Sequence, residues 1–165
     1  MERAPKDRLF IDHRGRMHQR PANTTARHRR GIHGLLRHGD ALLLVRPPTA
    51  NWLELPGGGI EDGESPVAAL RRELREEAGI CIDEALLTAA DETRFRTRYF
   101  ATSHDAYWLY QQQFRLVHLV DRPLLEDPLE PGHERFWLSM ADLHRQPIHH
   151  VHRIGIDRLL SLTIS

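Results

Sequence analysis

Apolar residues recur along the chain in short runs that are separated by turn-forming residues. Strands are predicted for seven of these runs, residues 9–12, 33–36, 41–46, 52–55, 85–95, 107–120 and 135–138. One face of the strand 107–120 is predicted to carry Trp108, Tyr110, Phe114, Leu116 and Val120. The cluster Pro56-Gly57-Gly58-Gly59 favours irregular backbone, so a loop is predicted from there to Glu64.

Two segments have the apolar spacing of helices. The first begins at Ser65-Pro66, a hydroxyl N-cap followed by proline at the first helical position, and is predicted to end at Ala78 before Gly79. The second covers residues 151–162 and is predicted to pack through three apolar side chains, Ile154, Leu159 and Leu162. Strands flanked by helices predict an α/β protein with a mixed sheet.

The composition is that of one globular domain. The chain has 165 residues, of which 40% are hydrophobic and 28% are charged. No apolar run approaches the roughly 18 residues that a membrane-spanning helix needs, so no membrane association is predicted. The single cysteine, Cys81, excludes an internal disulfide framework and is predicted to be a small core residue. These features predict a cytoplasmic protein.

Charge is distributed unevenly although the formal net charge is zero. Residues 1–37 contain ten basic and three acidic residues, which leaves 13 basic and 20 acidic residues for the rest of the chain. The basic stretch is either a polyanion-binding arm or a segment that the acidic remainder neutralises in the fold. The second interpretation is favoured because Asp7 and Asp12 interrupt the stretch and aromatic residues are scarce there. Residues 1–29 are therefore predicted to be a basic extension packed on a domain of residues 30–165.

Three carboxylates share one face of the first predicted helix. At 100° per residue, Glu73, Glu76 and Glu77 lie within an arc of roughly 100°, beside an apolar stripe that would bury the helix. Two glutamates four residues apart destabilise an isolated helix by roughly 0.2–0.5 kcal/mol, and a divalent cation would reverse that sign. Ligands that are all oxygen favour Mg²⁺ or Mn²⁺. For a glutamate-rich helix considered alone, a solvated charged face is the commoner explanation.

The spacing of the glycine loop and the helix makes the pattern specific. Gly58 is followed by five residues, Glu64, seven residues and then Arg72-Glu73-Leu74-Arg75-Glu76-Glu77-Ala78-Gly79-Ile80. This segment resembles the Nudix box, Gly-x5-Glu-x7-Arg-Glu-U-x-Glu-Glu-x-Gly-U with U a bulky aliphatic residue, in full. Seven fixed identities would match by chance on the order of once in 10⁸. The resemblance implies a Nudix-like α/β/α sandwich with a mixed sheet.

The resemblance also implies a reaction and a role for each residue of the box. The reaction is hydrolysis of a nucleoside diphosphate linked to another moiety, by water attack on phosphorus with Mg²⁺ or Mn²⁺. By position, the metal ligands and catalytic carboxylates are Glu73, Glu76 and Glu77, with the backbone carbonyl of Gly58 as a further ligand. Arg72 would hold a glutamate in place, and Glu64 would orient the junction of loop and helix. Gly57, Gly58 and Gly59 are expected beside the substrate.

Residues outside the box have two interpretations each. Glu130 is the best-placed further glutamate to act as base or metal ligand, although a solvated loop charge is the commoner role. Arg46 either meets a phosphate or forms a surface salt bridge. Base stacking or, more commonly, buried packing is expected for four aromatic residues, Trp52, Tyr99, Phe100 and Trp108. A solvated helix face, rather than a metal site, is expected for three histidines, His149, His150 and His152.

The leading hypothesis is thus a Nudix-type pyrophosphohydrolase acting on a small nucleotide or nucleotide derivative. An RNA 5′-end pyrophosphohydrolase is the alternative among enzymes. A catalytically silent nucleotide- or RNA-binding module is the alternative outside them, and the intact set of box carboxylates speaks against it. The family commonly dimerises, so a homodimer is compatible with the sequence.

Overall fold

A computed structural model describes residues 6–162 and contains eight strands and three helices within that range. The strands are β1 (Leu9–Ile11), β2 (Met17–Gln19), β3 (Arg27–His38), β4 (Ala41–Arg46), β5 (Gly57–Gly59), β6 (Asp91–Ala101), β7 (Ala106–His118) and β8 (Glu134–Ser139). The helices are α1 (Pro66–Ala78), α2 (Glu84–Ala89) and α3 (His150–Leu162). Short 3-10 turns cover Lys6–Arg8 and Leu143–Arg145. No helix in this part of the chain is long and apolar enough to cross a membrane.

The strands form one mixed sheet in the order β2-β1-β6-β7-β3-β4-β8, and β5 pairs with β3. The central pair, β3 and β7, is parallel and runs in register from Arg27–Trp108 to Arg37–His118. The β6–β7 and β4–β8 pairs are antiparallel, and β1 joins β6 in parallel through Ile11 and Tyr99. The predicted mixed sheet is confirmed.

Helices cover both faces of the sheet, so the molecule has two apolar cores. On one face, α1 and α2 bury Leu70, Leu74 and Leu87 against Ile32 and neighbouring residues of the sheet. On the other face, α3 packs against a second core, which includes Leu35, Phe114, Val151, Ile156 and Leu159. This arrangement is the predicted α/β/α sandwich.

Helix α1 has the predicted bounds because its ends are chemically defined. The Ser65 hydroxyl accepts a hydrogen bond from the Ala68 backbone N–H at 3.1 Å, and Pro66 occupies the first helical position. At the other end, Gly79 has φ 64° and donates its N–H to the Arg75 carbonyl. An N-cap, a left-handed C-terminal glycine and a buried stripe between them hold the helix that carries the box glutamates.

Several predictions about local structure were wrong. The segment 84–89 is helical, because Glu84-Ala85-Leu86-Leu87 places one buried leucine on a short amphipathic turn and strand β6 begins only at Asp91. Residues 57–59 form strand β5, since their backbone pairs with Gly31, Ile32 and His33 of β3. Three side chains expected to be packed are exposed, those of Cys81, Val120 and Leu162.

The N-terminal residues of the described range extend the sheet. Strands β1 and β2 form a hairpin whose first strand lies beside β6. Buried Asp12 closes the connecting turn by accepting hydrogen bonds from the backbone N–H groups of Arg14 and Arg16 and from His18. The described part of the basic extension is therefore continuous with the sheet of the domain.

Candidate active site

The site is formed where helix α1 faces strand β5. The Gly57 backbone N–H donates to Glu77 Oε2 at 2.9 Å. A Cβ atom on Gly58 would lie 2.5 Å from Glu73 Oε1, so the carboxylate of Glu73 occupies the space that a side chain on Gly58 would fill. Both carboxylates are nearly buried, since Glu73 and Glu77 are each 8% exposed. Close approach of the helix therefore requires glycine at position 58, whereas a Cβ atom on Gly57 would meet the backbone of Ile32 and His33 in β3.

Arg72 connects the loop to the helix. Its Nε and Nη2 atoms donate to the two carboxylate oxygens of Glu64, both at 3.0 Å, and Nη2 also donates to the Gly59 carbonyl at 3.0 Å. Its Nη1 atom donates to Glu73 Oε1 at 2.7 Å and to Glu76 Oε2 at 3.1 Å. Hydrogen bonds from Arg72 lower the pKa of Glu64. In turn, the hydrogen bonds to Glu64 and Glu73 raise the pKa of Arg72. One guanidinium thus fixes three glutamates and a backbone carbonyl.

A loop after β7 closes the other side of the site. The Glu130 backbone N–H donates to the Glu76 carbonyl at 2.8 Å, which ties this loop to the end of α1. The buried ring of His133 lies with Nε2 3.7 Å from Glu77 Oε1 and 4.0 Å from Glu130 Oε2. Among the described residues, Glu77, Glu130 and His133 are the one group whose ligand atoms all lie within 4.8 Å of one another. Sequence reasoning missed His133, although its position three residues after Glu130 and next to Gly132 is a usable signal.

The electrostatics of the site favour a bound cation. Burial raises the pKa of Glu77 well above its usual value, and nearby Glu54, Glu73 and Glu130 raise it further. Burial also raises the pKa of Glu73, against the lowering effect of Arg72. Packing several carboxylates into a poorly solvated space is unfavourable unless a positive charge joins them. The donor atoms are mostly carboxylate oxygens with a backbone carbonyl nearby, which fits a hard divalent cation.

Comparison with known proteins assigns the fold, and the loop–helix segment that resembles the Nudix box, to a protein family. The sequence profile of the NUDIX domain matches residues 27–159, most of the chain. The chain belongs to the Nudix family. Its sheet, its flanking helices and the loop–helix segment from Gly58 to Ile80 are therefore those of a Nudix domain.

Individual relatives match over parts of their length. This Nudix chain is 54% identical over 46 residues to the ADP-sugar pyrophosphatase of Mus musculus, which covers 26% of this chain and 21% of that protein. It is 36% identical over 95 residues to the 8-oxo-dGTP diphosphatase of Escherichia coli, covering 58% of this chain and 64% of that protein. The crystal structure of the MutT NUDIX hydrolase from Burkholderia pseudomallei superposes with a TM-score of 0.58 at 26% identity, over 79% of this chain and 97% of that one. The chain thus spans less than two thirds of the first two relatives.

Outside the Nudix box, Arg46 and Trp52 already have protein partners. The Arg46 guanidinium donates twice to Glu134, both at 3.0 Å, and lies over the ring of Phe136. Trp52 stacks on His13 with ring centroids 4.0 Å apart and donates from Nε1 to Glu54 Oε2 at 3.2 Å. Burial raises the pKa of Glu54 to about 7, although the hydrogen bond from Trp52 opposes the shift. Glu54, which is partly buried, is a further acid with a raised pKa that sequence reasoning did not single out.

The prediction of a solvated histidine face was wrong. His149 and His152 are 7% and 4% exposed, and their rings stack with centroids 4.3 Å apart. His152 lies 4.2 Å from the ring of His33, accepts a hydrogen bond from the Leu55 backbone N–H, and so connects α3 to the segment that leads into β5. His149 Nε2 is hydrogen-bonded to the Tyr99 hydroxyl at 2.9 Å. These histidines are core residues, because they fill the space between α3 and the sheet.

Proposed function

We propose that this protein hydrolyses the pyrophosphate of a nucleoside diphosphate linked to another moiety, in a reaction that requires Mg²⁺ or Mn²⁺. The proposal is carried by the convergence of Glu73 and Glu77 on strand β5, with Glu130 and His133 facing Glu77. The names of the mouse and E. coli relatives denote enzymes that cleave a pyrophosphate in a nucleotide derivative, which supports the same class of substrate here.

The cation would be held by Glu73, Glu77 and the Gly58 carbonyl, with Glu76 beside them. When bound, it would neutralise charge on the phosphate oxygens and lower the pKa of a bound water. The Gly57 N–H orients Glu77, and Arg72 orients Glu73 and Glu76, so the carboxylates need no rearrangement to receive the ion. Glu64 acts through Arg72, because both of its oxygens accept from that guanidinium.

Glu130 is the proposed general base. Its carboxylate is exposed enough to contact water, whereas those of Glu73 and Glu77 are nearly buried. In this role Glu130 would accept a proton from the attacking water, with His133 Nε2 4.0 Å from its carboxylate. The backbone of Gly57–Gly59 would lie beside the substrate phosphates, since strand β5 borders the same carboxylates. Arg46 and Trp52 would contribute to substrate binding only by exchanging their present partners.

The test is a panel of nucleoside triphosphates, nucleotide sugars and dinucleoside polyphosphates, with phosphate, pyrophosphate and nucleotide products measured with and without Mg²⁺. Turnover of a small nucleotide that stops when EDTA is added supports the proposal. A matched pair of variants localises it: Glu77→Gln should lose activity, and Glu84→Gln, which changes an exposed glutamate paired with Arg71, should keep it.

Three outcomes would contradict this function. Turnover that continues undiminished after thorough chelation would exclude the metal-dependent reaction. Release of pyrophosphate from 5′-triphosphorylated RNA alone, with no small nucleotide cleaved, would assign the site to RNA ends, and tight nucleotide binding without any turnover would indicate a silent binding module.

A further inference from the structure

The face of the sheet that carries α1 is uncovered at the start of β3. Side chains alternate between the two faces of a strand, so His28 and Arg30 project on the same side as Ile32, which lies beneath α1. On this side the register arranges the side chains in rows that cross β3, β7 and β6. One row consists of His28, Leu109 and Arg98, and another of Arg30, Gln111 and Arg96. The next row aligns Ile32 with Gln113 and Arg94. Arginine therefore occurs in every row.

These rows line a continuous groove. One depression of about 570 Å³ lies against the β1–β2 hairpin, and its lining includes Leu9, Ile11, Met17, Leu109, Arg96 and Arg98. A second of about 400 Å³ lies towards α1 and is lined by Arg30, Arg94, Gln113 and neighbouring residues. The two share Arg96 and Gln111. The groove thus has an apolar end and a cationic end, with side-chain amides between them.

Most of the positive charge in the groove is not neutralised by the protein. Among the described residues, no carboxylate lies within 4.0 Å of the guanidinium groups of Arg30 or Arg96. Arg98 donates to the backbone carbonyl of Lys6, which carries no charge. Within residues 6–162, Arg94 is the one groove arginine that pairs with a carboxylate, Glu92 at 2.6 Å. Of these arginines only Arg30 belongs to the basic stretch of residues 1–37, and the other three come from β6.

We propose that this groove binds single-stranded nucleic acid, separately from the metal site. A polynucleotide offers what both ends of the groove require: phosphates for the arginines and flat, weakly polar bases for Leu109, Ile11 and Met17. The amides of Gln111 and Gln113 can donate to and accept from base edges. An acidic peptide would satisfy the arginines but would leave the apolar end without a matching group. A groove with one cationic end and one apolar end therefore favours a nucleic acid over an acidic peptide.

The number of cations sets the expected salt dependence. Arg96 and Arg98 lie two residues apart on β6, about 6.7 Å, and Arg30 lies two strands away, so three arginines without a carboxylate partner can contact phosphates. Three contacts with a single strand predict a slope of log K against log salt of about −2.1. The double variant Arg30→Gln/Arg96→Gln should reduce the slope to about −0.7. If both lines converge at 1 M salt, binding at 50 mM salt should weaken on the order of 50-fold.

The experiment is fluorescence anisotropy of a 3′-labelled uridine oligonucleotide of about twelve residues, titrated with the full chain at several salt concentrations. The oligonucleotide has a 5′ hydroxyl and the buffer contains EDTA, so neither a cleavable pyrophosphate nor a metal is present. The control variant Arg71→Gln/Arg145→Gln removes the same charge from two arginines that pair with Glu84 and Asp142. Hydrolysis of nucleotides by all three proteins is measured separately, so the result does not depend on the proposed function.

Binding that is lost in the groove variant and retained in the control variant supports the proposal. Absence of binding at low salt, or equal weakening in both variants, would overturn it. Polyglutamate that binds as tightly as the oligonucleotide and with the same slope would also overturn it, in favour of an acidic protein partner.

Discussion

Substitution of His149 tests whether the buried histidines make the protein sensitive to acid. Burial lowers the pKa of His149 to about 3, and neighbouring His33 and His13 lower it further. In the unfolded chain, the pKa of His149 should lie near the ordinary histidine value of about 6.5. A depressed histidine pKa means that the unfolded state takes up the proton first, so stability decreases as the pH falls below 6.5. Replacing His149 with Gln removes that loss.

The magnitude follows from the two pKa values. Between pH 7.5 and pH 5, a histidine that remains neutral in the fold and titrates at 6.5 when unfolded reduces the free energy of unfolding by about 2 kcal/mol. Burial lowers the pKa of His33 to about 4, which adds a reduction of similar size. Glu54 acts in the opposite direction, because its raised pKa makes the fold more stable on acidification. The comparison must therefore be made between variants rather than on the wild type alone.

Urea unfolding of the wild type, His149→Gln and His104→Gln at pH 7.5 and pH 5, in EDTA, provides the measurement. The free energy of unfolding of His149→Gln, relative to that of the wild type, should be about 2 kcal/mol higher at pH 5 than at pH 7.5. His104 is exposed, so its variant should show no such shift. A difference between wild type and His149→Gln that is the same at both pH values would refute the reasoning.

Three further predictions concern the carboxylates. Glu54→Gln should raise the free energy of unfolding of the metal-free protein by about 2–3 kcal/mol at pH 7.5, because a pKa raised to about 7 means that the fold destabilises the ionised carboxylate. The gain should vanish near pH 4, where the carboxyl group is protonated in both states. Thermal melts in EDTA that show no gain at pH 7.5 would contradict this. Glu73→Gln and Glu77→Gln should each lower kcat about 100-fold or more, by removing charge from the proposed ion site; near-normal turnover in both, with Glu130→Gln alone inactive, would move that site off α1. Gly58→Ala should weaken Mg²⁺ activation about 10- to 100-fold, because the new methyl group would displace Glu73. Gly39→Ala adds a methyl group that contacts nothing within 4 Å but strains a backbone with φ 59°, so it controls for lost stability and should leave the activation constant unchanged. Equal activation constants in Gly58→Ala and wild type would show that Glu73 tolerates the displacement.

Local chemistry explains why helix α1 could be predicted closely. Ser65, Pro66 and Gly79 act through contacts within a few residues, so their effects are visible in the sequence alone. The relation of Glu73 to Glu77 also follows from helical geometry. The position of these carboxylates against Gly57 and Gly58 does not, because it depends on strand β5 pairing with a distant part of the chain.

Long-range packing also explains the main failures. His149 and His152 have the polarity of surface residues, yet they fill the gap between α3 and the sheet beside His33. The spacing of these histidines in the sequence does not distinguish a solvent-exposed helix face from a polar part of the core. Residues 85–89 fall within the strand predicted for residues 85–95, because their short apolar run lacks a helical period long enough to recognise. His133 reaches Glu77 only through the course of the loop after β7.

The central strand pair has a consequence for how the chain folds. Residues 27–37 of β3 each pair with a residue that lies 81 positions later in β7. Contacts of such large sequence separation slow folding, because a long loop must close before they form. During synthesis, β3, β5 and α1 leave the ribosome before β7 exists, so Ile32 and Leu36 lack the strand that completes their side of the sheet. The helix that carries the proposed catalytic carboxylates is thus made early and acquires its final support late.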